Sequence, residues 1–174
     1  IAGPAFADTP WSAAETLRVD FRRAVPVATP LELPVGDPGH ATLTATDGTL
    51  LAQAGPATLD LTAAPLPTWA EAVTATESAL TSPKRPVTDC FGCGVDCAPG
   101  HGLRLFAWPV RERGIMAAAW TPDPGLADDT GELPPEIVWS ALDCPGGIAA
   151  MVFQRMPLGA VTAALTATAP RTTR

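Results

Sequence analysis

Prolines and glycines cut this chain into short pieces. Of its 174 residues, 20 are proline and 15 glycine. An interior proline removes a helical hydrogen bond and clashes with the turn before it, so long helical bundles and coiled coils are disfavoured. One window stands out. From Pro135 to Phe153, residues Ile137, Val138, Ala141, Leu142, Ile148, Ala149 and Val152 make a broad apolar stripe at helical spacing. Pro135 suits the first helical position, where its missing N–H costs nothing. Pro145-Gly146-Gly147 lies inside the same window, so a kink or break is expected there.

Most of the remainder reads as strand. Thr9-Pro10-Trp11 has the form of a short helix start. From Thr16 to Val25 the chain then alternates, with Leu17, Val19 and Phe21 on one side and Arg18, Asp20 and Arg22 on the other. Leu31 to Val35 is a weaker strand, confined to an edge or bulge by Pro34. Ala41–Thr46 and Thr49–Ala54 flank Asp47-Gly48, a hairpin signal that calls for positive φ at both turn residues. Thr58–Leu61 extends the second of these strands. A proline-punctuated connector follows, holding a helix from Thr68 to Leu80 with Trp69, Val73 and Leu80 on one face. Beyond a Cys/Gly-rich loop, residues 89–102, comes a second hairpin: Leu103–Val110, a turn at Glu112-Arg113-Gly114, and Ile115–Trp120. An acidic loop leads to the helix at Pro135, and Leu158–Thr168 alternates as a last strand. A helix that cannot bury its stripe alone should pack on a curved antiparallel sheet, so the fold class is α+β.

Charge narrows the function classes. Eleven basic residues against 18 acidic ones give a net charge of −7, which argues against nucleic-acid or anionic-membrane partners. No run of about 18 consecutive apolar residues indicates a membrane span, and no basic-then-apolar leader opens the chain. The first residue is Ile1, so a fragment is expected. Four cysteines in a chain this long point to a reducing cytoplasm rather than a disulfide scaffold. Neither a phosphate-cradling glycine motif nor a nucleophile elbow is present.

Two constellations carry chemistry. Asp143 sits between Leu142 and Cys144 on the apolar helix, where a carboxylate is costly unless it is paired or lines a wet cleft. The plain alternative is an acid solvated at the Pro145 kink. Cys90, Cys93, Cys97 and His101 supply the ligand types of a tetrahedral zinc site. The alternative there is a glycine-rich turn with small thiols. Cys144 reads as core.

Four strings together resemble a known family: Cys90-Phe-Gly-Cys-Gly94, Gly102-Leu-Arg-Leu105, Trp139-Ser-Ala-Leu-Asp-Cys-Pro-Gly-Gly147 and Leu158-Gly-Ala-Val-Thr-Ala163. They are similar to the hotdog-fold thioesterase superfamily, closest to acyl-CoA thioesterase-like proteins of the PaaI type. The resemblance implies a long central helix wrapped by a curved antiparallel sheet. Thr16–Leu33 and Asp47-Gly-Thr-Leu-Leu-Ala52 resemble the later strands of such a unit, so residues 1–66 read as the back of one hotdog and 89–174 as the front of the next, joined by a connector at 67–88. A permuted single hotdog is the alternative. The family implies Asp143 as general base or nucleophile, with Glu136 as a second carboxylate. It also implies oxyanion donors at the N–H groups of Glu136, Ile137 and Val138, and substrate contacts at Gly131, Ile137, Val138 and Trp139. The stretch from Gly131 to Pro135 stands where the family carries a His-Gly-Gly-like sequence. The implied substrate is an acyl-CoA, with no cofactor and a homo-oligomer, a dimer, as the working form. Two other readings stay open: a non-catalytic binder of acyl-CoA or a partner chain, and a small zinc-stabilised interaction module.

Overall fold

The computed structural model describes residues 16–34, 39–62, 64–83, 87–157 and 159–168. The Thr9-Pro10-Trp11 helix start, Val35 and Leu158 lie outside them. The chain divides into two compact units, residues 16–61 with 162–168, and residues 62–161.

The first unit is a five-stranded antiparallel sheet. Its strands are β1 (Thr16–Phe21), β2 (Leu31–Glu32), β3 (Ala41–Ala45), β4 (Leu50–Pro56) and β7 (Ala164–Thr168), in the order β2-β3-β4-β1-β7. β1 is an interior strand, between β4 and β7, with Val19 opposite Ala54 on one side and Leu165 on the other. The alternating sequence of β1 suits this place, since a strand paired on both sides must offer a side chain to each face at every second residue. Leu51, Ala52 and Ala167 are its buried residues. The strand expected at Thr58–Leu61 does not form: β4 stops at Pro56, which can donate nothing to a ladder. The Asp47-Gly48 hairpin is present, but only Gly48 takes positive φ, at 83°. Asp47 instead accepts the Thr49 N–H on its carboxylate at 2.9 Å, and Gly48 donates to the Ala45 carbonyl at 2.9 Å.

The second unit holds helix α1 (Trp69–Thr81), a short hairpin of β5 (Trp108–Val110) and β6 (Ile115–Ala117), and helix α2 (Pro135–Phe153). Thr68 caps α1: its hydroxyl accepts the Glu71 N–H, while the Glu71 carboxylate accepts the Thr68 N–H at 2.7 Å. Arg113, from the turn of the hairpin, reaches the same carboxylate at 3.0 Å and the Pro65 carbonyl at 2.7 Å. α1 turns a different face inward from the one its large residues suggest. Ala72, Ala75 and Ala79 are buried, whereas Trp69 is 65% exposed. Small side chains let the helix approach Ala117, Trp108 and Val110 closely.

A second cluster, Leu103, Leu105 and Ala107, receives Met116, Trp120 and Leu126 from its own stretch and Ile137 and Ala141 from α2. The Trp120 indole N–H donates to the Leu103 carbonyl at 2.7 Å. Leu103–Ala107 does not form the expected strand, and Arg104 within it takes a left-handed φ of 53°. α2 spans the window its stripe marks out and continues through Pro145, so of the kink or break expected there the break does not occur. It is not a helix wrapped by a sheet within its unit, since none of its residues is fully buried and its neighbours are β5, β6 and the Leu103 cluster. By length and composition it is also the one described helix able to cross a bilayer, at a mean hydropathy of 1.3, a test that core helices of soluble proteins pass as well.

Two expectations follow. Ala75→Leu should overpack the α1 contact and cost about 1–3 kcal/mol, whereas Leu80→Ala, at a position 48% exposed, should cost less; urea denaturation of both variants compares them. The capping bonds from Thr68, and then Arg113, hold the Glu71 carboxyl below the usual glutamate range. Its contribution is therefore complete above that range and disappears as pH falls through the lowered value. Melting curves of wild type and Glu71→Gln should differ at neutral pH and converge in acid.

Candidate functional site

The Cys/Gly loop is built on backbone hydrogen bonds. Gly94 N–H donates to the Cys90 carbonyl at 2.7 Å, and Asp96 N–H to the Thr88 carbonyl at 2.8 Å, folding Cys90–Gly94 into a tight turn. A Cβ at position 94 would lie 2.6 Å from the Cys90 N and O and from the Thr88 O, so only glycine fits. The turn is then stitched to the next segment: Leu103 N–H donates to the Phe91 carbonyl at 2.7 Å, and Leu105 N–H to the Gly92 carbonyl at 3.0 Å. Since Leu103 and Leu105 are buried, the turn is held beside the cluster on which α2 rests.

α2 supplies the third thiol. Ile137, Ala141 and Cys144 follow the i, i+4, i+7 spacing that aligns side chains on one helical face. The face that meets the Leu103 cluster through Ile137 and Ala141 therefore presents Cys144 to the turn. Its Sγ lies 3.5 Å from the Sγ of Cys90. The Sγ atoms of Cys90, Cys93 and Cys144 all fall within 4.8 Å of one another. Gly92 permits the approach, because a Cβ there would stand 2.7 Å from the Cys144 sulfur. All four cysteines are free thiols, and 3.5 Å is far beyond a disulfide bond. Hydrogen bonding to Cys93, burial, and the charges that Cys93 and Cys90 would carry as thiolates push the Cys144 thiol well above the ordinary range.

Of the four ligands read from the sequence, the structure brings together Cys90 and Cys93. Cys97 turns away, its Sγ directed at the Cys90 carbonyl at 3.3 Å. Arg104 holds the Cys97 carbonyl with one guanidinium N–H. The same guanidinium sits 5.2 Å from the centre of the Phe106 ring. His101 is exposed. Cys144 occupies the place assigned to these two residues. Its distance in sequence hides it, although the shared face with Ile137 and Ala141 is a readable signal.

The residues implied by the family resemblance are more dispersed. Asp143 is one step of about 100° from Cys144 around the helix and is exposed. Glu136 is exposed at the first turn, and Ile137, Val138 and Trp139 are half-buried. Ile137 N–H and Val138 N–H both donate to the Pro134 carbonyl, at 2.9 and 3.3 Å. Of the three anticipated oxyanion donors, that leaves the Glu136 N–H. Gly131 is exposed with φ of 83°, in a loop organised by the Asp128 carboxylate, which accepts from the Thr130 N–H at 2.8 Å and the Glu132 N–H at 3.1 Å. Two open hollows of about 330 and 320 Å³ lie elsewhere, one under α1 at Ala75 and Val110, the other at His40 and Gln53. Comparison with family models, with curated proteins and with solved structures gives no match for this chain.

The two kinds of glycine should respond oppositely to alanine. Gly94→Ala meets rigid backbone and is expected to cost at least about 1–3 kcal/mol. Gly147→Ala has no atom within 4 Å of the new Cβ and should stabilise α2 by about 0.5–1 kcal/mol. Denaturation midpoints of the two variants test both signs.

Proposed function

We propose that the chain is a hotdog thioesterase-like protein that handles an acyl thioester along α2, with Asp143 as the reacting carboxylate. The observation that supports this reading is the position of Asp143: it lies on a half-covered apolar helix, on a side that water and substrate can reach. A carboxylate so placed can take a proton from water as the water oxygen attacks the thioester carbonyl; the C–S bond then breaks and the departing thiolate recovers that proton to leave as the thiol. The half-buried Ile137, Val138 and Trp139 offer apolar surface for the acyl chain, and the Glu136 N–H offers a donor to the developing oxyanion. Four free thiols suit a reducing cytoplasm. The sheet ends in β2 and β7, edges that a second copy of the chain would cover.

A second reading is favoured by one specific feature. Pro134 and Pro135 lack N–H groups, and those of Ile137 and Val138 are already engaged with Pro134. A protein that binds acyl-CoA without hydrolysing it needs no oxyanion donors. Acyl-CoAs of several chain lengths, followed with a thiol reagent, separate the two. Hydrolysis that falls at least about 100-fold in Asp143→Asn supports the first reading. Calorimetric binding with no thiol release supports the second. Neither binding nor turnover rejects both.

A further inference from the structure

We propose that Cys90, Cys93 and Cys144 together bind one thiophilic divalent cation, zinc in the first instance. The proposal is independent of the thioester reading and rests on geometry. Three sulfurs at the corners of a zinc tetrahedron, with Zn–S near 2.3 Å, stand about 3.8 Å apart. Here Cys90 and Cys144 are 3.5 Å apart and all three sulfurs lie within 4.8 Å of one another. Side-chain movements well under the size of a rotamer change would close the site.

Three further features mark this as a built arrangement. The two-residue spacing between Cys90 and Cys93 is that of a metal-binding turn, and Gly94 gives that turn the tight closure no other residue allows. The third ligand comes from a different element, 54 residues after Cys90, so a bound ion would cross-link the loop to α2. Gly92 clears the space in which the Cys144 sulfur sits. Soft thiolate donors select zinc and its neighbours over magnesium or calcium. Cys97 faces backbone carbonyls, and the fourth position falls to water or an external ligand, since Cys90 and Cys144 are only half-buried. Binding would release the thiol protons, so affinity should rise with pH.

The experiment uses the intact chain, purified under reducing conditions without chelators. Metal analysis is expected to find about one zinc per chain. Replacement by cobalt should give a thiolate-to-metal charge-transfer band. Alkylation followed by mass mapping should show Cys90, Cys93 and Cys144 protected and Cys97 modified, with protection lost on adding a chelator. In chelator competition Cys144→Ser should bind at least tenfold more weakly, while Cys97→Ser should match wild type. The mapping on wild-type protein keeps the test decisive if Cys144→Ser does not fold. Absence of metal with no cobalt–thiolate band overturns the proposal. So does protection of Cys97 in place of Cys144, or a Cys90–Cys144 disulfide as the form isolated under these conditions.

Discussion

The second unit depends on two backbone hydrogen bonds, from Leu103 to Phe91 and from Leu105 to Gly92. They join a glycine-rich turn, in which Cys93 is buried and Phe91 about half exposed, to the buried Leu103 and Leu105. This turn loses much conformational freedom at its glycines on ordering, which the burial of one thiol offsets only in part. Its position is set instead by the cluster of Leu103, Leu105 and Ala107, whose burial does carry a driving force. Because Ile137 and Ala141 of α2 rest on the same cluster, loop and helix share one reference surface. The meeting of three thiols is a consequence of that sharing.

Reading the sequence recovered those parts of the fold that local chemistry decides. The proline at the start of α2 is a short-range device, and the helix begins where it indicates; α1, expected over Thr68 to Leu80, runs from Trp69 to Thr81. The alternation of Leu17 and Val19 likewise identified β1, a strand paired on both sides. Size misled where packing decides. In α1 the largest residues suggested the inner face, but a helix lying close to a hairpin buries its smallest side chains, and Ala72, Ala75 and Ala79 are the ones covered. Of the kink or break expected at Pro145, the break does not occur. A proline inside a helix costs one hydrogen bond and a local clash, but α2 absorbs this and continues to Phe153.

The candidate site was legible in the same proportion. Cys90 and Cys93 form a local motif and were recognisable as a pair. Cys97 and His101 are near in sequence, yet the turn aims them elsewhere. Cys144 is distant in sequence, so its partnership depends on the tertiary contact through Ile137 and Ala141. The carboxylate of Asp143, one residue earlier, is carried to a different side of the helix by the same rotation that aims the thiol inward. Two adjacent residues thus belong to different environments, and only the three-dimensional arrangement distributes them.

The place of β7 in the sheet bears on how the chain assembles. β1 cannot complete its pairing until β7, far along the chain, is available, as the Thr16–Thr168 hydroxyl contact across 152 residues makes plain. Closing so long a loop is entropically costly and slow when the intervening chain is flexible. The intervening chain is, however, a compact unit of its own. Once residues 62–161 have collapsed, the search for the edge partner takes place over a much shorter effective tether. Emergence from the ribosome would follow the same order, with the sheet waiting, one edge bare, for β7 to be made.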